Sequence, residues 1–502
     1  MNRALKRISL AILVMFLLLL INTNYLQAFE ASSLSSKPEN GRALSEGNQY
    51  ERGNITTSDG VLLAGTKPST GNDFYKYQRY YPKGPVYAPV TGYDTLYSAS
   101  GVEQAEDQLL SGNGQQLAFR NFIDMITNKP QKGATVQLTV NSKAQQAAYA
   151  GLQSLLHGTG HTGGLVALDP STGAILAMAS YPSYDPNLLA THNGKALNAN
   201  DKQLLKERPS PLINNATESL LPPGSTFKIV TSSAWFTQNS DRNESSQVSS
   251  PTVLTLPQTT SKLHNDNGEV CGDGSGQTTI LYAFAQSCDT TFGNLGMVIG
   301  ASSLNATAEK YGMNDQNLNI PGVTAATSSY VIPSSLPLTA FSAIGQYNDT
   351  ATPLQEAMFA SAVANNGKLM KPYLVQQATA SDLSVVASAH PSTLSNPVSP
   401  TVAGYLQKMM TAVVQQPEGT ASNFNANNEG GLVIAGKTGT AQNQLNGVSS
   451  SPDAVFTAYA PANGTPKIAV GVMIQGAGYG ATAAAPIAVN VIKAYLASAG
   501  QG

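Results

Sequence analysis

The sequence predicts an α+β protein with more than one domain and a membrane segment at its N-terminus. Strand-like segments lie at 163–180 and again at 433–476, whereas helical segments dominate the chain between 221 and 366. This order predicts a sheet assembled from distant parts of the chain. With 502 residues the chain is also too long for one ordinary core, so we expect a second domain.

The composition excludes one broad class of function. The formal net charge is −2, from 28 Lys and Arg against 30 Asp and Glu, and no long basic run interrupts this balance. A nucleic-acid-binding domain would show a basic patch or stripe, so we expect no nucleic-acid partner. The 45 glycines suit an extracytoplasmic protein with many loops.

The N-terminus predicts a membrane anchor. Arg3, Lys6 and Arg7 precede the apolar stretch 8–21, and basic residues before an apolar segment keep the N-terminus in the cytoplasm. The stretch is short for a transmembrane helix and would also fit the core of a signal peptide. Because no clean small-x-small cleavage site follows, we interpret residues 1–28 as an uncleaved signal anchor. The rest of the chain would then lie outside the cytoplasm, on a single-pass membrane protein.

Residues 29–156 predict a smaller N-terminal domain. Residues 29–50 are rich in Ser, Asn and Glu and are typical of a tether. The alternation in 51–65 is broken by Asp59-Gly60, which predicts a β-hairpin. Residues 133–156 then predict a strand followed by a helix.

Residues 157–502 predict the main domain. It opens with a hairpin at 163–180 around the turn Asp-Pro-Ser-Thr-Gly. Helices are expected after Gly224, at 278–300 and at 352–366. Strands are expected at 433–442, 454–461 and 467–476, followed by a closing helix at 484–498.

The two cysteines of the chain, Cys271 and Cys288, are 17 positions apart. In an exported protein, two cysteines at this separation usually pair. We therefore predict a disulfide, which would stabilise the fold by about 3 kcal/mol through the entropy of loop closure.

The first chemical motif is Ser225-Thr-Phe-Lys228, the only Ser-x-x-Lys in the chain. Residues at i and i+3 lie on one face of a helix, so the lysine can reach the serine hydroxyl. A serine becomes a nucleophile when a neighbouring base accepts its proton, and burial can lower the pKa of a lysine enough for that role. The alternative is an N-cap serine with an unrelated lysine nearby.

The second motif is Lys437-Thr438-Gly439-Thr440, which contains the only Lys-Thr pair. On an edge strand it offers a cation, hydroxyl groups and a glycine that permits the close approach of an extended peptide. The alternative is a glycine-rich strand end without a function.

These two motifs, with a Ser-x-Asn element between them, form the signature of penicillin-binding proteins and β-lactamases. Two candidates exist for the middle element, Ser287-Cys-Asp289 and Ser303-Leu-Asn305. Ser303 is followed by the expected Asn but stands at the start of a predicted helix, where Ser is a routine cap.

The stretch "SCDTTFGNLG" resembles the Ser-Cys-Asn-Thr-x-Phe segment of class B penicillin-binding proteins, so Ser287 is favoured. The resemblance covers most of the chain and is strongest to the actinobacterial penicillin-binding protein A type. It implies a penicillin-binding/β-lactamase-like transpeptidase domain, with an antiparallel sheet flanked by helices and an all-helical subdomain. It also makes residues 29–156 a pedestal domain of the dimerisation type.

The resemblance further implies a peptidoglycan D,D-transpeptidase that is inhibited by β-lactams. Ser225 would attack the D-Ala-D-Ala stem peptide, with Lys228 as proton acceptor and Ser287 as proton relay. The backbone N–H groups of Ser225 and Thr440 would hold the oxyanion. The terminal carboxylate would bind to Lys437, Thr438 and Thr440, beside Gly439. An amine of a second stem peptide would accept the acyl group, and no metal or cofactor is implied.

Glycan polymerisation would come from a partner, which we expect to be a membrane glycosyltransferase of the wall-synthesis or division machinery. The alternatives are a D,D-carboxypeptidase or β-lactamase-like hydrolase, or a non-catalytic penicillin-binding scaffold or sensor.

Asp289 departs from the family pattern, because Asn is usual at its position. An ionised Asp cannot donate a hydrogen bond to a substrate carbonyl, and it would hold Lys228 protonated. We hypothesise that Asp289 is shielded by Lys437 or shares a proton, and that it accepts from a substrate amide. The segment "AVFTAYAP" also lacks the Trp that is common in the family.

Overall fold

The structure is a computed structural model that describes residues 3–30, 50–70, 75–117, 126–127, 132–426, 431–445 and 448–500. Its N-terminal helix spans Arg3–Tyr25. The segment Lys6–Tyr25 has a mean hydropathy of 2.1 and buries none of its residues, so its length and composition suffice to cross a membrane. Most of the predicted tether falls outside the described residues.

The N-terminal sheet has six strands. Its predicted hairpin is confirmed, since Ile55–Thr56 pairs antiparallel with Leu62–Pro68 around Asp59-Gly60. Two strands come from far along the chain, because the hairpin 375–388 pairs with Thr135–Leu138. In spatial order the strands are Val385–Ser388, Val375–Thr379, Thr135–Leu138, Ile55–Thr56, Leu62–Pro68 and Tyr77–Tyr80.

A buried ion cluster lies at the centre of this N-terminal region. Glu103 is fully buried and accepts from Arg52 Nε at 2.8 Å and from Arg79 Nε at 2.7 Å. Two charge-assisted hydrogen bonds on one carboxylate offset the desolvation of the three charges. The cluster therefore ties the start of this region to the short helix Gly101–Ala105.

The central sheet has five antiparallel strands, in the spatial order Ala435–Leu445, Val448–Ala460, Ile468–Ile474, Gly163–Leu168 and Ile175–Tyr181. The predicted assembly from distant segments is thus confirmed. All residues of Ile468–Ile474 are buried, so both faces of the sheet are covered. The covering helices are Ser142–Leu156, Pro353–Ala364 and Ala484–Ala499.

Several helices lie in the chain between the two halves of this sheet. They are Gly194–Lys206, Lys228–Gln238, Ile280–Ala285, Asp289–Ile299, Ala301–Lys310, Leu336–Ser342, Pro353–Ala364 and Pro400–Gln415. Short strands accompany them at Gln247–Ser249, Val253–Thr255, Lys262–His264, Gln277–Thr279, Leu369–Met370 and Thr393–Ser395.

The helical segment predicted at 278–300 is confirmed for most of its length, but it is interrupted. The segment forms a strand, Gln277–Thr279, and two helices that are separated by residues 286–288. Ser287 has a φ of +66°, a left-handed conformation that a right-handed helix cannot contain. The predicted disulfide between Cys271 and Cys288 is confirmed. Cys288 directly follows Ser287, so the disulfide holds the chain next to the middle motif.

Candidate active site

Ser225 lies on a 3-10 turn, Gly224–Phe227, that runs directly into the helix Lys228–Gln238. Gly224 has a φ of +57°, which favours glycine. Its N–H donates to the Gly345 carbonyl at 3.0 Å. A Cβ at Gly224 would lie 3.2 Å from the Thr440 carbonyl oxygen. The turn that presents Ser225 is therefore held between the loop at 345 and the strand that carries Thr440.

Lys228 is completely buried, and its ammonium group points to the middle motif. Nζ donates to the Ser287 carbonyl at 2.8 Å, to Ser287 Oγ at 3.1 Å and to Asp289 Oδ1 at 2.6 Å. No hydrogen bond joins Ser225 to Lys228 within the described residues. The contact expected from the i, i+3 spacing is thus replaced by contacts with a residue 59 positions away.

Lys437, on the strand Ala435–Leu445, also contacts the Ser287 hydroxyl. Its Nζ donates to Ser287 Oγ at 2.8 Å and to the Thr438 carbonyl at 3.0 Å. The side chain is completely buried. Two lysine amines therefore converge on one serine oxygen, which has two lone pairs to receive them.

Burial governs the protonation of both amines. It lowers the pKa of Lys228, and the nearby Asp289 carboxylate opposes this effect only in part. Burial and the charge of Lys228 hold the pKa of Lys437 well below its usual range. Two adjacent ammonium groups in a buried site repel each other, so the cluster favours a neutral amine that can accept a proton.

Asp289 directly contacts the other lysine of the pair. It forms its ion pair with Lys228 at 2.6 Å, while Lys437 contacts Ser287. Shielding of Asp289 by Lys437 stays a prediction, since the Asp289 carboxylate also acts on Lys437 through its charge. Burial of the Lys228 side chain keeps Lys228 a candidate base, because desolvation outweighs the attraction of the carboxylate.

The strand Ala435–Leu445 forms the edge of the central sheet beside the serine turn. The Thr438 hydroxyl lies 2.6 Å from the Thr420 hydroxyl. At Gly439 an added Cβ would come within 2.7 Å of the Pro223 carbonyl oxygen. Glycine is required here because the strand and the serine turn approach each other so closely.

A cleft of about 1010 Å³ opens above these residues. Its lining includes five of the predicted catalytic and substrate-binding residues, namely Ser225, Ser287, Asp289, Thr438 and Thr440. The competing motif is absent from this lining: Ser303 lies on the helix Ala301–Lys310, where its hydroxyl accepts from Gln238 at 2.8 Å. The choice of Ser287 over Ser303 agrees with this geometry.

Sequence reasoning missed two further parts of the site. Thr420 contacts Thr438 from a turn after the helix Pro400–Gln415. The only sequence signal for this residue was its place in a Gly-Thr turn. Glu356 lies behind the serine turn, where it contacts Thr226 at 2.8 Å. A single acidic residue in an apolar helix was the available signal for this position.

The antiparallel sheet, the serine turn and the Lys-Thr-Gly edge strand define the class of the serine penicillin-recognising proteins. Residues 163–493 match the family model of the penicillin binding protein transpeptidase domain, and residues 52–136 match that of the penicillin binding protein A dimerisation domain. The chain belongs to the penicillin-binding protein transpeptidase family, as a class B member.

Relatives support this assignment along the whole chain. The chain is 39% identical to the peptidoglycan D,D-transpeptidase PbpA of Mycolicibacterium smegmatis, over 99% of both chains. Identity to PbpA of Mycobacterium tuberculosis is 37%, again over 99% of both. The solved penicillin G acyl-enzyme complex of penicillin-binding protein A from M. tuberculosis superposes with a TM-score of 0.80 at 36% identity. That match covers 89% of this chain and 100% of the solved one.

Proposed function

We propose that this protein is a peptidoglycan D,D-transpeptidase that forms an acyl-enzyme through Ser225. The observation that carries the proposal is the convergence of Lys228 and Lys437 on the Ser287 hydroxyl, beside the turn that presents Ser225 in the cleft. The names of its relatives and the acyl-enzyme structure of one of them agree with this activity.

In the proposed reaction, Ser225 Oγ attacks the penultimate carbonyl carbon of a stem peptide ending in D-Ala-D-Ala. A neutral amine in the lysine pair takes the serine proton. Lys228 is assigned this role as the lysine of the Ser-x-x-Lys motif, whose pKa is lowered by burial. The backbone N–H groups of Ser225 and Thr440 stabilise the oxyanion. Ser287, with two lysine donors on its oxygen, passes a proton to the leaving D-alanine.

The edge strand binds the donor peptide. Lys437 and the hydroxyls of Thr438 and Thr440 receive the terminal carboxylate, while Gly439 allows the peptide to lie close to the strand. Asp289, which is 23% exposed in its side chain, faces the cleft and accepts from a substrate amide. The amine of a second stem peptide then attacks the acyl-enzyme and completes the cross-link.

The location follows from the N-terminal helix. We propose that it anchors the protein in the cell membrane with the catalytic domain on the extracytoplasmic side, because Arg3, Lys6 and Arg7 precede its apolar core. The domain divisions 1–28, 29–156 and 157–502 remain part of this proposal. The acyl acceptor chains would be supplied by a membrane glycosyltransferase partner.

The test is covalent labelling of the ectodomain, residues 29–502, with fluorescent penicillin. We expect one stable adduct, which mass spectrometry places on Ser225 and which Ser225→Ala abolishes. Ser287→Ala should slow acylation by at least tenfold, since it removes the proton relay. Ser303→Ala is the matched control and should leave the rate unchanged, because Ser303 lies outside the cleft lining.

Turnover separates the transpeptidase from its alternatives. A stem-peptide donor with a D-amino acid acceptor should give the exchanged peptide in excess of the hydrolysed one. Hydrolysis alone would indicate a carboxypeptidase, and rapid loss of the penicillin adduct would indicate a β-lactamase. Absence of a Ser225-dependent adduct would refute the enzymatic proposal.

A further inference from the structure

A buried carboxyl group lies directly behind the serine turn and has no part in the reaction described above. Glu356 stands in the helix Pro353–Ala364, and its side chain is completely buried. Its Oε1 lies 2.8 Å from Oγ1 of Thr226, the residue that follows Ser225. Its Oε2 is buried and has no hydrogen-bond partner in the described part of the chain.

The hydrogen bonds of Thr226 determine where the protons lie. Thr226 Oγ1 is 2.8 Å from the Pro223 carbonyl oxygen and also 2.8 Å from Glu356 Oε1. The carbonyl can only accept, and a hydroxyl carries one proton. If the Thr226 hydroxyl donates to the carbonyl, the second contact requires that Glu356 be protonated and donate to Thr226.

Among the residues that the structure describes, no cation forms an ion pair with Glu356. The helix has no other titratable residue, and the packed strands Gly163–Leu168, Ile468–Ile474 and Leu369–Met370 have none. The remaining titratable groups on elements packed around it have other partners among the described residues. Asp453 binds the Gly476 N–H, Lys408 pairs with Glu244, Lys228 with Asp289 and Lys437 with Ser287. Tyr459 interacts with Thr411, and the Tyr405 ring packs at a tilt against Phe236.

The same carboxyl residue links three parts of the site. The backbone carbonyl of Glu356 accepts from Thr457 Oγ1 of the central sheet at 2.6 Å. Through Thr226 the side chain fixes the Pro223 carbonyl, which abuts Gly439 of the substrate strand. The position of the serine turn relative to that strand therefore depends on this chain of hydrogen bonds.

We propose that Glu356 is a positioning residue of the acylation site, a carboxylic acid that must keep its proton so that the relay Glu356–Thr226–Pro223 holds the serine turn. The inference rests on the proposed function, because its readout is acylation of Ser225. Loss of the proton turns the Thr226 hydroxyl toward the carboxylate and removes its hydrogen bond to the Pro223 carbonyl.

Burial raises the pKa of Glu356 to about 8, so the relay is intact at neutral pH and fails in mildly alkaline solution. At pH 9 roughly a tenth of the molecules would retain the proton. The acylation rate of the wild type should accordingly fall above pH 8. An amide at this position donates to Thr226 at every pH, so Glu356→Gln should not show this fall.

The experiment measures the rate of penicillin acylation between pH 6 and pH 10 for the ectodomain and its variants. We expect Glu356→Gln to match the wild type at pH 7 and to exceed it by about tenfold at pH 9. Thr226→Val should acylate more slowly at pH 7 and should also lack the alkaline fall caused by Glu356. Parallel pH profiles of Glu356→Gln and the wild type would overturn the inference.

A matched control is available in Asp349, a second fully buried carboxyl whose pKa burial also raises to about 8. It accepts from Ser342 at 2.7 Å. Asp349→Asn should retain the wild-type alkaline fall; if it removes the fall instead, the assignment to Glu356 is wrong. Labelling that does not depend on Ser225 would refute the proposed function, whereas Ser225-dependent labelling with unchanged profiles refutes this inference only.

Discussion

The disulfide between Cys271 and Cys288 should stabilise the middle motif as well as the fold. Both cysteines are buried, and Cys288 directly follows Ser287. The bond closes a loop with a sequence separation of 17 residues, for which the loop-entropy model gives about 3 kcal/mol. The double substitution Cys271→Ala, Cys288→Ala should lower the free energy of unfolding by this amount.

The single tryptophan of the chain provides the assay. Trp235 lies buried in the helix that follows the serine turn, so its fluorescence reports the unfolding of this domain in urea. With a slope of about 3 kcal/mol per molar urea, the loss corresponds to a midpoint shift of about 1 M. Acylation should slow too. Without the disulfide, the segment 286–288 holds the Ser287 side chain less firmly against the two lysines.

Reduction of the wild-type disulfide under native conditions is the control. It should reproduce both the midpoint shift and the slower acylation, and it should have no effect on the double variant. A double variant that unfolds within about 1 kcal/mol of the wild type and acylates at its rate would refute the reasoning.

Three further changes test other parts of the site. Burial raises the pKa of Glu356 from 4.5 to about 8, so the unfolded chain binds fewer protons between these values and wild-type stability falls as pH rises through that window. Glu356→Gln should remove this slope and stabilise the domain by about 3 kcal/mol at pH 7, measured by urea unfolding at several pH values. Asp289→Asn removes the charge that raises the pKa of Lys228, so its acylation rate at pH 6 should exceed that of the wild type; equal rates would show that the carboxylate has no such role. Gly439→Ala places a methyl group 2.7 Å from the Pro223 carbonyl oxygen and should reduce acylation by about tenfold or more, whereas an unchanged rate would mean that the strand can move away freely.

Local patterns predicted much of the fold. The hairpins at 51–65 and 163–180 follow from alternating apolar residues around Asp-Gly and Asp-Pro-Ser-Thr-Gly turns, and both form. The helix at 352–366 also forms, as Pro353–Ala364. The break at Ser287 escaped prediction because a positive φ in a non-glycine residue has no sequence signal and persists only where packing enforces it.

The sequence by itself determined which catalytic motifs this protein carries and where its apolar segment lies. Its lone Ser-x-x-Lys, its lone Lys-Thr-Gly and its apolar N-terminus needed only residue identity and spacing. The tertiary structure decided which groups meet: Lys228 and Lys437 on Ser287, and Glu356 on Thr226 from 130 positions away. Such contacts depend on how distant elements pack, and so does the burial that sets the protonation of these lysines and of Glu356.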